Sequence, residues 1–130
     1  MADVNRGNRP LSPHMSIYRW KVTMLTSILT RITGNALLFS FLIFVAWLLA
    51  ASTSPEAFGV VDGILGSWFG KLVLIASTLG LWYHFLAGLR HLIWDTGAGL
   101  DLKTAELFSW ICLIGSVVLT VLTVALVWMV

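Results

Sequence analysis

Charge is scarce in this sequence. Of 130 residues, 11% are Asp, Glu, Lys or Arg and 58% are hydrophobic, with a mean hydropathy of +0.92. Soluble domains carry roughly 25% charged residues, so this composition excludes an ordinary soluble globular protein. Cysteine is almost absent. Cys112 is alone, which rules out an internal disulfide and a cysteine-ligated iron-sulfur cluster, and leaves it as a small buried hydrophobe. No G-x-G-x-x-G dinucleotide loop occurs. There is no internal repeat and no low-complexity tract, and three spans cannot divide into the equal inverted halves common in secondary transporters. The start lacks the adjacent basic and apolar regions of a signal peptide, and it is unlike a long Arg/Ser-rich transit peptide.

What is present is long uncharged runs. None of Asp, Glu, Lys or Arg occurs between Arg31 and Glu56, between Lys71 and Arg90, or from Leu107 to Val130. Each run is about 18 residues or longer, enough at 1.5 Å per residue to cross a hydrocarbon core roughly 30 Å thick. The runs predict three transmembrane helices near 27–50, 66–94 and 106–129. Barrel strands would instead show short alternating segments, so the expected fold is an all-α membrane bundle. It divides into an N-terminal cytoplasmic or interfacial segment, 1–26, and a three-helix anchor, 27–130.

Arg6, Arg9, Arg19, Lys21 and Arg31 precede or open the first span, and Arg90 and Lys103 flank the second connection. Only Lys71 lies near the first. By the positive-inside rule the N-terminus is cytoplasmic and the C-terminus external, with a bacterial inner membrane as the simplest home. The net charge of +2 reflects this asymmetry and is no sign of nucleic-acid binding. Pro10 and Pro13 imply an extended approach to the membrane, followed by an interfacial segment with Tyr18 and Trp20. Pro55, Gly59 and Gly63 mark a short external turn with about one turn of interfacial helix. Gly97 and Gly99 stop the second helix, and Thr104 with Glu106 begins the third. That last helix, without an ionisable side chain after Glu106, reads as a packing and lipid-facing wall.

The second span carries costly residues. Ser77, Gly80, His84, Gly88, His91 and Asp95 recur at spacings of three and four, forming one helical stripe. His84 lies roughly 16 to 20 Å by helical rise from Lys71 and Asp95, near mid-membrane, where an ionisable group is a functional hypothesis by default. A neutral imidazole nitrogen can ligate haem iron, and Gly80 and Gly88 would let a flat macrocycle approach. His91, about 10 Å further along, can reach a propionate. Two other readings stay open: small residues and a histidine also make close helix contacts with a hydrogen bond across them, and such a stripe can carry protons. If His84 ligates six-coordinate iron, the second ligand comes from another chain, since His14 and His91 lie at other depths. On the first span, Ser27 and Arg31 share a face with Gly34 and can donate to a quinone carbonyl. Equally, Arg31 reads as a snorkelling anchor and Ser27 as a helix-start residue.

Three stretches together, "RPLSPHMSIYR" at 9–19, "SILTRITG" at 27–34 and "HFLAGLRHLIWD" at 84–95, resemble the cytochrome b membrane-anchor subunits of succinate dehydrogenase, the larger anchors of complex II. The resemblance spans nearly the whole chain. It implies one b-type haem shared with a second three-helix anchor, flavoprotein and iron-sulfur subunits held on the membrane, and electrons delivered to ubiquinone, with succinate oxidised in another subunit. It makes His84 the haem ligand and places Ser27 and Arg31 in the quinone site. It sets Arg90 and His91 near the propionates and the cytoplasmic mouth, with Arg31 a further propionate contact. One departure stands out: many members have histidine immediately before the motif arginine, where this chain has Thr30, leaving Arg31 or His91 to take more of the propionate contact. Asp95, disfavoured by the helix dipole at its C-terminal end, is expected to pair with a cation, Arg90 or one from a partner, and to relay protons to reduced quinone. Competing expectations are the anchor of a fumarate reductase and a small proton-conducting or assembly subunit that binds no haem.

Overall fold

The computed structural model describes residues 17–129. The extended approach expected through Pro10 and Pro13, and His14, lie outside the described residues. Four helices follow in order: α1 Val22–Thr53, α2 Pro55–Gly66, α3 Trp68–Asp95 and α4 Leu102–Met129. Among the described residues there is no strand. α1, α3 and α4 are each long and apolar enough to cross a membrane, as the uncharged runs predict. The chain is a multi-pass membrane protein. α1 is 32 residues, about 48 Å by rise, so it outreaches the hydrocarbon core or tilts within it.

The connection between the first two spans is more helical than expected. Instead of a turn with about one turn of interfacial helix, α2 runs for 12 residues, because its start carries three helix-opening devices. The Ser54 hydroxyl accepts from the Ala57 amide at 3.1 Å, Pro55 sits where a missing N–H costs nothing, and Glu56 complements the dipole. The Ser54 hydroxyl also contributes to holding the Glu56 carboxyl below its usual range, behind the larger effect of a backbone N–H. Ser67 alone joins α2 to α3. Its backbone N–H closes α2 on the Gly63 and Ile64 carbonyls, and its hydroxyl caps α3 through the Gly70 amide at 3.1 Å. This one-residue corner brings the Ile64 and Leu65 backbone against the α carbon of Gly70, where a side chain would collide with main-chain atoms.

α3 ends as predicted. The Gly97 amide bonds the Trp94 carbonyl, and Gly97 takes φ of 81°, which a residue with a side chain rarely adopts. α4 starts earlier than expected: Asp101, not Thr104, is the cap, accepting from both the amide and the hydroxyl of Thr104 at 3.0 and 2.9 Å. A carboxylate accepts charge-assisted bonds that a threonine hydroxyl cannot match, and these two, the amide first, hold Asp101 below its usual range.

α3 occupies the middle of the bundle, packed on both α1 and α4. The interior is thin. Its buried hydrophobic residues are Ala50, Tyr83, Ala87 and Cys112, while Thr26, Arg90, Ser109, Ser116 and Thr120 are buried alongside them. α4 therefore supplies a face of small residues, Ser109, Cys112, Ser116 and Thr120, to the packing seam, joined by the partly buried Leu113, and many of its other aliphatic side chains are exposed. Cys112 is buried and unpaired, as the small-hydrophobe reading expects.

Candidate functional site

His84 lies in the middle of α3, half-buried against α1. Its Nδ1 is 3.2 Å from the Thr33 hydroxyl. Gly34, the next residue of α1, makes the contact possible: a β-carbon there would stand 3.2 Å from His84 Cε1. The ring thus rests on a notch in α1 formed by a hydroxyl and a glycine. On α3 itself, a β-carbon at Gly80 or Gly88 would meet nothing within 4 Å. Those two glycines are not used for packing within this chain, so the space on either side of His84 is open.

Three polar contacts tie α1 to α3 at nearly regular intervals. The Ser40 hydroxyl donates to Ser77 at 2.9 Å, Thr33 meets His84, and Thr26 receives Arg90 Nη1 at 2.9 Å. On α1 the steps are seven residues, and on α3 seven and then six, close to the 3.5-residue repeat with which two helices keep one seam facing a neighbour. Sequence reasoning identified Ser77 and His84 on this stripe, and placed Gly34 on the Ser27 and Arg31 face of the first span rather than opposite His84. It did not identify Thr26, Thr33 and Ser40, whose seven-residue spacing was the available signal.

Thr26 is the node at one end. It is 0% exposed; its hydroxyl meets Arg90 and Ser109, and its carbonyl accepts from the Tyr83 phenol at 2.7 Å. Arg90 is 3% exposed, bonded to Thr26 and Ser109, with its guanidinium 4.7 Å from the centre of the Trp94 ring. Its Nε has no hydrogen-bond partner among the described residues. The pairing of Asp95 with Arg90 expected from the sequence is therefore not made: Arg90 turns into the bundle, and Asp95 is exposed at the last position of α3. His91 is also exposed, edge-on to Trp94 at 5.3 Å. Ser27 and Arg31 lie together on an exposed face of α1, beyond Thr33 and Gly34 in the direction of its N-terminus. Thr30 folds its hydroxyl back onto the Thr26 carbonyl at 2.8 Å. The site residues thus fall at two levels, His84 deep and Ser27, Arg31, His91 and Asp95 at one end.

A cavity of about 570 Å³, lined by Trp47, Asp62, Lys71 and Trp128 among others, opens at the opposite end of the bundle. Trp47 lies about 30 Å by helical rise from Ser27, so this space is separate from the polar cluster.

The chain matches the family model described as succinate dehydrogenase/fumarate reductase transmembrane subunit over residues 5–123. It belongs to that family. Its relatives include the succinate dehydrogenase cytochrome b556 subunit of Paracoccus denitrificans, 54% identical over 95% of each chain. They also include the corresponding subunit of Rickettsia conorii, 37% identical over 88% of this chain and 89% of the relative. The succinate dehydrogenase cytochrome b560 subunit of Reclinomonas americana is 39% identical over 82% of this chain and 77% of that one. The family match covers α1, α2 and α3 whole and α4 as far as Thr123, and the comparisons agree with the resemblance drawn from the three sequence stretches.

Proposed function

We propose that this chain is the cytochrome b membrane-anchor subunit of a succinate:ubiquinone oxidoreductase, binding b-type haem together with a second anchor subunit and helping to form the ubiquinone-reduction site. The observation that carries the reading is His84, an imidazole at mid-helix with open space at Gly80 and Gly88 on either side. The donor fits haem iron, and the absent side chains fit a flat macrocycle laid along α3. Bound there, haem supplies a one-electron couple within the membrane.

The remaining roles belong to this chain's own residues. His84 would hold the haem iron through an imidazole nitrogen, and a histidine of the second anchor would supply the other ligand. Ser27 and Arg31, close together on the exposed α1 face, donate hydrogen bonds to the carbonyl oxygen of ubiquinone. Arg31 and His91 are the cations available to a propionate, a task Thr30 does not share because its hydroxyl is committed to Thr26. Reduction of the quinone to quinol consumes electrons from the flavoprotein and iron-sulfur subunits, and Asp95 relays the protons. The N-terminus and segment 1–26 face the cytoplasm and the C-terminus faces outward, in a bacterial inner membrane. The basic residues before α1 and the Paracoccus relative support this orientation and location.

The decisive experiment is His84→Ala in the assembled complex. The b-type bands of the reduced-minus-oxidised spectrum are expected to vanish or shift, and an unchanged spectrum would remove His84 as ligand. Arg31→Ala is expected to impair ubiquinone reduction while dye-coupled succinate oxidation survives; if both rates held, Arg31 would be a membrane anchor only. The family description also names fumarate reductase, so a complex that turns over faster from quinol to fumarate would assign the reverse direction.

A further inference from the structure

The hydrogen bonds around Thr33 determine more than the position of His84. A threonine hydroxyl has one hydrogen to give. Here it has two neighbouring carbonyl oxygens, Leu29 at 2.8 Å and Thr30 at 3.2 Å, and the His84 Nδ1 at 3.2 Å. A carbonyl can only accept, so the hydrogen belongs to the closer one, on Leu29. The hydroxyl then meets Nδ1 with a lone pair, which requires Nδ1 to carry the ring proton.

From this arrangement we infer that Thr33 is a positioning residue that sets the tautomer of His84, fixing Nδ1 as a donor and leaving Nε2 with the free lone pair. The Nδ1–Cε1 edge rests on α1, where a Gly34 β-carbon would come within 4 Å of both atoms and Nε2 lies farther away. The lone pair therefore faces away from the notch. The inference rests on the haem reading and adds what the notch contributes: a metal-bound histidine that donates its second N–H becomes a more basic ligand, and losing that partner typically costs 10- to 100-fold in affinity. The acceptor is also strengthened, because a hydroxyl already donating to Leu29 is polarised toward accepting. Gly34 favours the same contact, since a β-carbon there would stand 3.2 Å from His84 Cε1 and the ring would have to shift by a few tenths of an ångström.

The test compares Thr33→Val with Thr33→Ser in the purified whole complex, reading haem content, the low-spin electron paramagnetic resonance signal and the haem midpoint potential. Valine preserves the shape of threonine and removes the acceptor; serine retains the hydroxyl. Without the acceptor, His84 donates less to ferric iron. Thr33→Val is then expected to raise the potential by up to a tenfold change in the ferric-to-ferrous ratio, about 59 mV for a one-electron couple, or to lower haem occupancy. Thr33→Ser is expected to match the parent in all three readings. Two results would overturn the inference: both variants indistinguishable from the parent with haem bound, or both altered to the same extent, which would make the contact one of packing. Native complex lacking b-type bands would overturn the haem reading itself, and this inference with it.

Discussion

Arg90 is a charge buried without a carboxylate. Its partners are two hydroxyls and the face of Trp94, and its Nε is left unsatisfied. In such a site the cost of losing a partner exceeds the benefit of having one, because the remaining charge stays desolvated. Thr26→Val is therefore expected to destabilise the bundle by about 1–3 kcal/mol, seen as a lower midpoint in denaturing-detergent titration. Adding Arg90→Met should recover part of that loss, since the charge leaves with its acceptor. If the double variant were less stable than Thr26→Val alone, Arg90 would be contributing more than its hydroxyl contacts account for. At this scale the sequence was partly legible. His84 and Asp95 declare themselves because ionisable groups are costly in an oily run, and the structure leaves them where the helical spacing put them. Of the two cations expected to pair with Asp95, Arg90 or one from a partner, Arg90 does not do so: a guanidinium near a helix end suggests a pair with the nearest anion, whereas Thr26, Ser109 and Trp94 offered it a place inside. Thr33 and Gly34 could not be weighted correctly from one strand of text: their meaning lies in what stands opposite.

Among the elements, the α2–α3 corner and the start of α4 depend on single residues. Gly70→Ala would set a β-carbon against the Ile64 and Leu65 main chain, and backbone cannot step aside as a flexible side chain can. A loss of about 1–3 kcal/mol, typical of overpacking, is expected in the same detergent titration, and an unchanged midpoint would mean the corner opens freely. The α4 cap makes a prediction in pH. Asp101 titrates below its ordinary value in the folded chain because Thr104 donates to its charged form. Its stabilisation is therefore present above the ordinary carboxylate range and is lost as pH falls through the lowered folded value. Lower protection of the Thr104 and Ala105 amides, relative to their intrinsic exchange rate at each pH, is expected on acidification, and Asp101→Ala should show that lower protection at neutral pH. The spans themselves were legible because uncharged length is a direct requirement of the bilayer. The length of α2 was not, because apolar runs report burial in lipid, whereas a short helix is decided by its cap, and Pro55, Gly59 and Gly63 were read as a turn with about one turn of helix.

Taken whole, the molecule has more apolar surface than interior. Leu38, Phe39 and Leu42 on α1 and Val117, Val121 and Leu126 on α4 are exposed, a face fit for lipid or for other subunits. His84, as a single donor, has the same incompleteness. Expressed without a second anchor, the chain is expected to bind haem weakly and in a high-spin form, and to become low-spin when the partner is co-expressed; a low-spin spectrum from the chain alone would place both ligands within it or between two copies. The contacts from Ser40 to Ser77, Thr33 to His84 and Thr26 to Arg90 have one more consequence. Each is directional, and all three are satisfied in one alignment of α1 with α3. Sliding either helix by a turn, 5.4 Å, would break every one together, whereas purely greasy surfaces would resist such a slip only weakly. The three contacts act as a vernier along the membrane normal: they fix the depth of His84 relative to Ser27 and Arg31, and, on the proposed haem and quinone roles, the gap an electron would have to cross between the two levels.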